Sequence, residues 1–492
     1  MAHAKLVEHS NGSCRSHFLL VAYSMQGHIN PVLTLARRLA RTTNSNVTLS
    51  LPISGHRCIF PSIKAADEEV HDGGISYIPF SDGKDDGSWS KSPEERRWRR
   101  EESSKSISAI VSRLMASGRP VTSMVCTLSM LAAVDAASKH NIPLAVYWIE
   151  PAAALLTYYH YFHGYDEFIT AHVDNPTYEV NLPDLNPLRI RDMPTLFIDK
   201  MHNEQSKMFL RSFQELFEYM DREKPLVMVN TYDALEHTML EAVQPYMDVF
   251  VVGPAVPSLD AVKCQDASKQ LHLFKKDEKR YMEWLNVHPE KSVVYLSFGS
   301  LITYTSRQVE EILHGLQRCG RPYLWVIRKE GRSKEVDLCL EEIKGGQGMV
   351  VEWCDQLQVL AHPSIGCFVT HCGWNSTLEA IVYGVPMVAV PSWSDQPLNA
   401  RLIEKEWGMG VRAERDADGV LTSMELVKHI ELLMGDSEVA RRIKENATNL
   451  KERAQDTLAT NGLMERSIQS FVKRMQDRGN NHQGKDPSKY SN

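Results

Sequence analysis

The sequence predicts an α/β protein made of two doubly wound parallel-sheet domains that face each other across a cleft. The chain has 492 residues, which is too many for one ordinary hydrophobic core. Short apolar runs alternate with longer amphipathic stretches, a pattern typical of parallel strands joined by helices. The pattern restarts near residue 292, after a polar stretch with prolines at 253–270, and two such domains place a ligand cleft between them.

The N-terminal half begins with a strand and a helix. Residues 17–23 (HFLLVAY) form an apolar run, and apolar residues then recur at helical spacing over 31–41. We expect Asn30 to cap this helix and Pro31 to be its first residue, because both residue types favour these positions. The same patterns predict a helix at 131–139 and strands at 46–51, 122–127, 144–150, 226–230 and 249–252.

The C-terminal half repeats the alternation. The apolar runs predict a helix at 306–318 and strands at 292–298, 323–328, 349–352, 367–370 and 387–390. We divide the chain into an N-terminal domain at 1–252, a linker at 253–275 and a C-terminal domain at 276–455. Residues 456–492 are expected to form a helix that packs back on the N-terminal domain, followed by a polar, frayed tail after Arg474.

Composition excludes several classes of protein. Charged residues make up 24% of the chain and the formal net charge is −7, which argues against nucleic-acid binding because phosphate neutralisation needs a clustered basic face. The one dense charge cluster, at 94–102 (EERRWRREE), mixes both signs and is typical of a solvated helix or loop. The first sixteen residues are polar and no run approaches 18 apolar residues, so we predict neither a signal peptide nor a membrane span.

The nine cysteines indicate a reducing compartment. None forms a CxxC pair or a zinc-like spacing with histidine. Four lie among apolar residues and are expected to be small buried side chains, namely Cys126, Cys354, Cys367 and Cys372. We therefore expect a soluble, cytoplasmic protein.

The chemistry of the chain is concentrated in residues 353–396. Within this stretch 366–370 is a short strand, 371–376 (HCGWNS) is a tight polar turn that contains Gly373, and 377–383 is a helix closed by Gly384. Such a strand, glycine turn and helix start form an anion site, because free backbone N–H groups and the positive end of the helix dipole point outward.

Polar side chains extend this anion site toward a ribose. Asn375 and Ser376 add hydrogen-bond donors at the start of the helix. Glu379 follows three to four residues later, so it shares their helix face. A carboxylate in that position accepts both hydroxyls of a ribose diol.

The ends of the same stretch suit a base and a sugar. Trp353 offers a flat face on which a base stacks, and Asp395 and Gln396 follow the next strand, where they suit sugar hydroxyls. A lone His371 is more often a structural hydrogen bonder, and a lone Trp353 is more often a core residue. Together, the residues of this stretch describe a single nucleotide-sugar ligand.

The 44 residues at 353–396 resemble the signature box of plant secondary-product glycosyltransferases, which are inverting family 1 enzymes with the GT-B fold. The resemblance covers almost the whole chain, with further motifs at 26–31 (QGHINP), 230–236 (NTYDALE), 251–254 (VVGP) and 295–300 (YLSFGS). It implies two Rossmann-like domains, the N-terminal one binding the acceptor and the C-terminal one the UDP-sugar. It also implies transfer of glucose from UDP-glucose to a small apolar plant metabolite, such as a flavonoid, an anthocyanin or another phenolic.

The resemblance further implies a role for each residue of the donor site. Trp353 stacks on uracil, and the backbone of Cys354 pairs with the edge of the base. The ribose is held by Gln356 and Glu379. The diphosphate is held by residues of the turn and of a neighbouring strand end, namely Ser300, His371, Gly373, Asn375 and Ser376. The glucose is held by Trp374, Asp395 and Gln396, and glutamine at the last position goes with glucose.

His28 is the predicted general base. It follows the first strand, at the carboxyl edge where parallel sheets place ligands. Histidine is suited to remove the proton of an acceptor near neutral pH as its oxygen attacks the anomeric carbon. One displacement with one base inverts the anomeric carbon, and the resemblance assigns this role to the same histidine.

The partner of His28 departs from the family pattern. Most relatives carry an aspartate at the end of the neighbouring strand, where this chain has Thr127. Threonine does not stabilise an imidazolium as a carboxylate does. Asp135 lies within the following helix and is expected to be structural. Glu150 ends the next strand and either supplies the missing charge or contacts the acceptor or the sugar.

Threonine at this position, together with YWIEPA at 147–152 and YYHYFHGY at 158–165, resembles the branch of anthocyanin 5-O-glucosyltransferases. That branch also contains enzymes that make glucose esters of carboxylic acids, so either acceptor stays open. An epimerase or dehydrogenase would need a GxGxxG turn, which 24–28 lacks. A non-catalytic nucleotide-sugar-binding module would dispense with His28, which is present. We expect a monomer that needs neither a cofactor nor a metal.

Overall fold

The structure is a computed structural model that describes residues 15–199, 204–257, 273–274, 277, 280–300, 302–329, 332–341, 347–459 and 462–483. Its strands are β1 (His17–Val21), β2 (Asn46–Ser50), β3 (Val70–Asp72), β4 (Ile75–Tyr77), β5 (Ser123–Thr127), β6 (Leu144–Trp148), β7 (Glu179–Val180), β8 (Leu188–Arg189), β9 (Val227–Val229), β10 (Val249–Val251), β11 (Val293–Ser297), β12 (Tyr323–Val326), β13 (Gly348–Val351), β14 (Ile365–Thr370), β15 (Met387–Ala389) and β16 (Gly410–Arg412).

Helices connect most of these strands. They are α1 (Gln26–Thr43), α2 (Ile53–Ile59), α3 (Pro93–Ala116), α4 (Leu131–Lys139), α5 (Ala152–His160), α6 (Asp166–Ala171), α7 (Thr195–Ile198), α8 (Glu204–Glu223), α9 (Asp233–Val243), α10 (Tyr281–Asn286), α11 (Ser306–Cys319), α12 (Lys334–Glu341), α13 (Gln356–Leu360), α14 (Trp374–Tyr383), α15 (Gln396–Arg401), α16 (Ser423–Met434), α17 (Glu438–Leu458) and α18 (Leu463–Gln483). Shorter helical turns lie at Tyr161–Tyr165, Ile190–Asp192 and Leu402–Glu406.

The N-terminal sheet has eight strands in the order β10-β9-β6-β5-β1-β2-β4-β3. Every pair is parallel except β3 with β4, a short antiparallel hairpin that the apolar pattern does not predict. From β1 the chain winds outward through β2 in one direction and through β5 in the other. The loops after β1 and β5 therefore leave the sheet side by side, and Val21 pairs in register with Cys126.

The C-terminal sheet has six parallel strands in the order β13-β12-β11-β14-β15-β16. Counted from β11, this is the 3-2-1-4-5-6 order of dinucleotide-binding folds. The order reverses between β11 and β14, where Ser297 pairs with Thr370. The predicted α/β fold with two doubly wound parallel sheets is confirmed, and each sheet has a switch point at which ligands bind.

Helix α1 begins earlier than the sequence predicts. It starts at Gln26, so Pro31 lies inside the helix, and Asn30 is an interior residue whose side chain accepts from Gln26 Nε2 at 2.7 Å. Proline lacks the N–H that would bond the carbonyl of Gly27 four residues before it. That carbonyl accepts instead from Asn375 Nδ2 at 2.9 Å, so a hydrogen bond between the two domains replaces the missing helical one.

The C-terminal helix α18 packs against α1 and β10. The ring of Phe471 lies 6.1 Å from that of Phe18 and 5.6 Å from that of Phe250. The predicted fraying directly after Arg474 is wrong, because the helix continues to Gln483 and Met475 is buried. Residues 484–492, and most of the predicted linker at 253–275, lie outside the described residues.

The mixed-charge cluster at 94–102 is helical, as expected, but it is not simply solvated. Arg99 is buried, and it donates to Asp82 Oδ2 at 3.1 Å and to the Ser88 carbonyl at 2.6 Å. Arg100 donates to both oxygens of Asp135, at 2.6 and 2.8 Å. The cluster thus ties α3 to a preceding loop and to α4. Within the described part of the chain, no helix is both long and apolar enough to cross a membrane.

Candidate active site

A cavity of about 630 Å³ lies between the two domains, at the switch points of both sheets. Its lining contains every predicted donor-site residue, together with His28 and Glu150. Segments far apart in sequence meet there, because the loop after β1 faces the loops after β11 and β14. Thr127 is the one predicted residue outside the lining, and it lies directly behind His28.

The three residues expected at the ribose and the diphosphate form one hydrogen-bond network. Gln356 Nε2 donates to Ser376 Oγ at 2.8 Å and to Glu379 Oε2 at 2.7 Å. Tyr295 Oη donates to Gln356 Oε1 at 3.0 Å from beneath. Burial raises the pKa of Glu379 to about 7, and the hydrogen bond from Gln356 opposes this rise. The carboxyl is therefore poised to ionise when it meets a ligand donor.

The His371 ring packs between two glycines: Gly299 in the loop after β11, and Gly373 just before α14. A Cβ atom at either Gly299 or Gly373 would lie 2.5 Å from Nε2 of His371, which is closer than side chains tolerate. Gly299 also has a φ of +78°, a left-handed conformation that favours glycine. Burial lowers the pKa of His371 to about 4, so the ring is neutral at physiological pH and suited to a hydrogen bond rather than an ion pair.

The two tryptophans of the predicted donor site are both in place, but they differ in what they offer. Trp353 is half-buried, and its ring lies 4.7 Å from that of Phe274 at a tilt of 47°. Trp374 is buried, and its indole N–H already donates to the carbonyl of Asn230 at 2.7 Å. The indole N–H of Trp374 is thus committed to a contact between domains, which leaves its ring and backbone to line the cavity.

Asp395 and Gln396 are fixed by the turn that carries them. The side chain of Asn399 donates to Asp395 Oδ2 at 2.7 Å, and burial raises the pKa of Asp395 to about 7. Gln396 Oε1 accepts from the backbone N–H groups of Ser392 and Trp393 at 3.0 and 2.9 Å. The carbonyl oxygen of this glutamine is therefore used within the turn, and these bonds do not use its amide nitrogen.

Glu150 lies two residues beyond the end of β6, and its side chain meets the C-terminal domain. Its Oε1 accepts from Ser394 Oγ at 3.3 Å. Burial, and then the nearby charge of Asp395, raise its pKa well above the usual range. The sequence leaves open whether Glu150 pairs with His28. Among the described residues no contact joins these two side chains, because the carboxyl of Glu150 bonds Ser394 instead.

His28 contacts Thr127, as the order of the strands requires. Its Nδ1 lies 3.0 Å from Thr127 Oγ1, and its ring meets that of Tyr23 edge-on at 5.6 Å. The ring is half-buried at the cavity wall, and burial lowers its pKa to about 4. In the tautomer that donates Nδ1–H to Thr127 Oγ1, the neutral imidazole leaves Nε2 to accept a proton.

Sequence reasoning missed several residues of the cavity. Tyr295 lies in the strand predicted at 292–298, and nothing in the sequence signals that its hydroxyl reaches Gln356. Trp89 and Trp393 also line the cavity, and the ring of each lies 5.6 Å from the Phe209 ring. The backbone N–H of Thr195 donates to the carbonyl of Ser394, and the backbone N–H of Ser394 donates to Thr195 Oγ1, both at 2.9 Å. These residues come from separate segments, so no local motif marks them.

Two doubly wound α/β domains whose shared cavity is lined by a candidate base and by candidate nucleotide-sugar ligands are typical of nucleotide-sugar transferases, and comparison with known proteins agrees. The family model of UDP-glucoronosyl and UDP-glucosyl transferases matches residues 185–457. Crocetin glucosyltransferase, chloroplastic, from Gardenia jasminoides is 40% identical over 95% of this chain and 98% of its own. Anthocyanidin 3-O-glucoside 5-O-glucosyltransferase 1 from Perilla frutescens is 38% identical over 93% of this chain and 98% of its own.

A solved structure extends the comparison to three dimensions. Os79 from O. sativa in complex with UDP superposes with a TM-score of 0.77 and 27% identity, over 93% of this chain and 100% of that one. The chain belongs to the UDP-glucoronosyl and UDP-glucosyl transferase family, and it is an enzyme of the plant family 1 type with the GT-B fold.

Proposed function

We propose that this enzyme transfers glucose from UDP-glucose, with inversion, to a hydroxyl group of a small, largely apolar aromatic metabolite. The observation that carries the proposal is that the candidate base and all the candidate donor-site residues line a single cavity. His28 faces the network of Gln356, Ser376 and Glu379 across this cavity. The relatives from Gardenia jasminoides and Perilla frutescens are named as glucosyltransferases, which supports glucose as the transferred sugar.

The donor is proposed to bind along the C-terminal wall. Uracil stacks on Trp353, the ribose diol bonds Glu379, and the diphosphate meets the start of α14 beside Ser300 and His371. A helix start stabilises the charge that develops on UDP as it leaves. The reaction on this proposal needs no metal ion, because backbone N–H groups and neutral side chains receive the diphosphate.

The acceptor is proposed to bind beside Trp89 and Trp393. Together with Leu128 and Ile149, these rings supply apolar surface to the cavity that His28 also lines. Such a wall suits a flat aromatic ring, which buries apolar area and stacks against tryptophan. His28 Nε2 removes the proton of the acceptor hydroxyl as its oxygen attacks the anomeric carbon, so UDP-α-glucose yields a β-glucoside.

A second acceptor class has a specific observation in its favour. Thr127, and not a carboxylate, bonds His28, and burial lowers the pKa of the imidazole to about 4. A weak base of this kind suits an acceptor that is already ionised, such as a carboxylic acid. Formation of a glucose ester is therefore the alternative activity.

The cellular compartment and the oligomeric state of the enzyme are also proposals. The seven described cysteines are free thiols, and four of them are buried, which supports a reducing compartment. We propose a cytoplasmic, monomeric enzyme whose partners are a UDP-sugar and a small acceptor.

One experiment tests the function. The enzyme is incubated with UDP-glucose and a panel of phenols and aromatic carboxylic acids, and release of UDP and product mass are measured with and without EDTA. We expect phenol β-glucosides that form equally well after chelation. Products found only with the carboxylic acids would establish the ester alternative. Preference for UDP-galactose or UDP-glucuronate over UDP-glucose, or loss of all turnover with EDTA, would contradict the proposal.

A further inference from the structure

The carboxyl group of Glu150 has an oxygen that the protein leaves without a partner. Glu150 is 7% exposed, lines the cavity, and uses Oε1 for Ser394. Its Oε2 is buried and has no hydrogen-bond partner among the described residues. Because buried polar atoms in native proteins are satisfied almost without exception, an atom of this kind that faces a cavity indicates a ligand.

The position of this carboxyl is fixed from both domains. Behind it, Glu236 accepts from the backbone N–H groups of Ala152 and Ala153, both at 3.0 Å, and so holds the chain just after β6. In front of it, Ser394 is clamped by Thr195 at 2.9 Å and has a φ of +58°. A site held this firmly does not need to rearrange when a ligand binds.

A second carboxylate faces the same ligand space from the other domain. Asp395 follows Ser394 directly, lines the cavity, and is close enough to Glu150 for its charge to act on that group. Neither carboxylate has a cationic partner among the contacts of the described residues. Burial raises the pKa of both carboxyl groups, and the charge of Asp395 raises that of Glu150 further. Hydroxyls of a neutral ligand that donate to the two groups favour their ionised, acceptor-only form. An anionic ligand group has the opposite effect, because it adds a further negative charge beside the pair.

We propose that Glu150 binds a hydroxyl group of the donor sugar through Oε2, and that the Glu150–Asp395 pair excludes donor sugars that carry a carboxylate. This inference rests on the proposed transfer of glucose from UDP-glucose and deepens it. A hexose hydroxyl donates to Glu150 from one side and another donates to Asp395 from the other. A uronic acid would bring a third carboxyl group beside two that have no cationic partner among the contacts of the described residues.

The test compares the enzyme with Glu150→Gln, which keeps the size of the side chain and removes its charge. Calorimetry measures the affinity for UDP-glucose and, as a sugar-free reference, for UDP. Steady-state kinetics measure kcat/KM for UDP-glucose and for UDP-glucuronate. Glu241→Gln is the matched control, because Glu241 is exposed on α9 and pairs only with His237 among the described residues.

We expect Glu150→Gln to lower kcat/KM for UDP-glucose by about 10- to 100-fold, as the loss of one charge-assisted hydrogen bond implies, while UDP affinity stays unchanged. The ratio of kcat/KM for UDP-glucuronate to that for UDP-glucose should rise. Glu150→Asp keeps the charge, so it should retain the discrimination against UDP-glucuronate. Glu241→Gln should match the unmodified enzyme in every measurement, with melting curves confirming that all variants fold.

Two results would overturn the inference. One is an unchanged ratio of UDP-glucose affinity to UDP affinity in folded Glu150→Gln. The other is an effect confined to the KM of the acceptor, which would make Glu150 an acceptor contact. Failure of the unmodified enzyme to consume UDP-glucose would instead contradict the proposed function, and the two binding affinities would still test the inference.

Discussion

Replacing Thr127 with valine should slow the enzyme modestly, by an amount that the structure sets. Thr127 Oγ1 lies 3.0 Å from His28 Nδ1, and the threonine side chain is fully buried, so valine keeps its shape and removes only the hydroxyl. A neutral hydrogen bond contributes about 0.5–1.5 kcal/mol, and one to a charged group about 1.5–3 kcal/mol. The Thr127–His28 hydrogen bond therefore becomes stronger by about 1–1.5 kcal/mol when His28 takes the proton. Removing the hydroxyl should accordingly lower kcat/KM by about 5- to 10-fold.

The assay measures kcat/KM over phenols of graded acidity. Thr127→Ser is the matched control that keeps the hydroxyl, and His28→Ala shows the largest loss expected, because it removes the base itself. Loss of the base should cost about 100- to 10,000-fold on weakly acidic phenols. The effect of both changes should shrink as the phenol becomes more acidic, because less proton transfer is needed. A loss above 100-fold in Thr127→Val, or equal losses in the serine and valine variants, would refute the role given to this hydroxyl.

The remaining predictions concern pH, the glycines and the domain interface. Because burial lowers the pKa of His28 to about 4 from an ordinary 6.5, the base is neutral above pH 4, and kcat/KM should fall only as pH drops through about 4, measured by a pH profile. Because burial raises the pKa of Glu379 to about 7, affinity for uridine, which carries no phosphate, should weaken as pH falls below 7, and Glu379→Gln should abolish that dependence in calorimetry. Gly373→Ala should reduce UDP affinity at least about tenfold by displacing the His371 ring, and His371→Ala in the same chain should relieve the clash but not restore affinity. Asp192→Asn, which breaks the nearly buried pair with Arg412 at 2.6 Å, should destabilise the fold by about 3–5 kcal/mol in denaturant unfolding, whereas Glu414→Gln at an exposed pair should cost about 0–1 kcal/mol.

Much of the fold could be predicted because buried parallel strands are continuous apolar runs. The segments at 17–23, 122–127 and 292–298 contain the observed β1, β5 and β11, with ends that differ by one or two residues. Helix starts were less predictable. Pro31 indicates a first helical position by its local preference, yet a partner from the other domain satisfies the carbonyl that proline leaves free. A contact 348 residues away leaves no local signal.

The candidate site shows the same division between local and distant contacts. Its donor half lies within 353–396, so the residue types and their spacing can be recognised together in one continuous stretch of sequence. The proposed acceptor half is assembled from the loops after β1, β5 and β6 and from α8. Trp89, also in the cavity lining, lies in the loop that Arg99 binds through the carbonyl of Ser88. Only the order of the strands brings these segments together. The sequence therefore predicts the donor more sharply than the acceptor.

The division of labour between the two sheets has a consequence for catalysis. On the proposed mechanism, each domain alone presents half of the chemistry at its own switch point: a base with its hydroxyl partner on one side, and a glycine turn with a helix start on the other. The reacting atoms meet only where these edges face each other. That meeting is maintained by bonds from Asn375 to Gly27, from Trp374 to Asn230 and from Ser394 to Thr195. Trp374 and Asn375 lie in the first turn of α14, and Ser394 lies in the loop after β15. All three also line the cavity, so on the proposed mechanism a change at these contacts alters the distance between base and sugar as well as the affinity for the nucleotide.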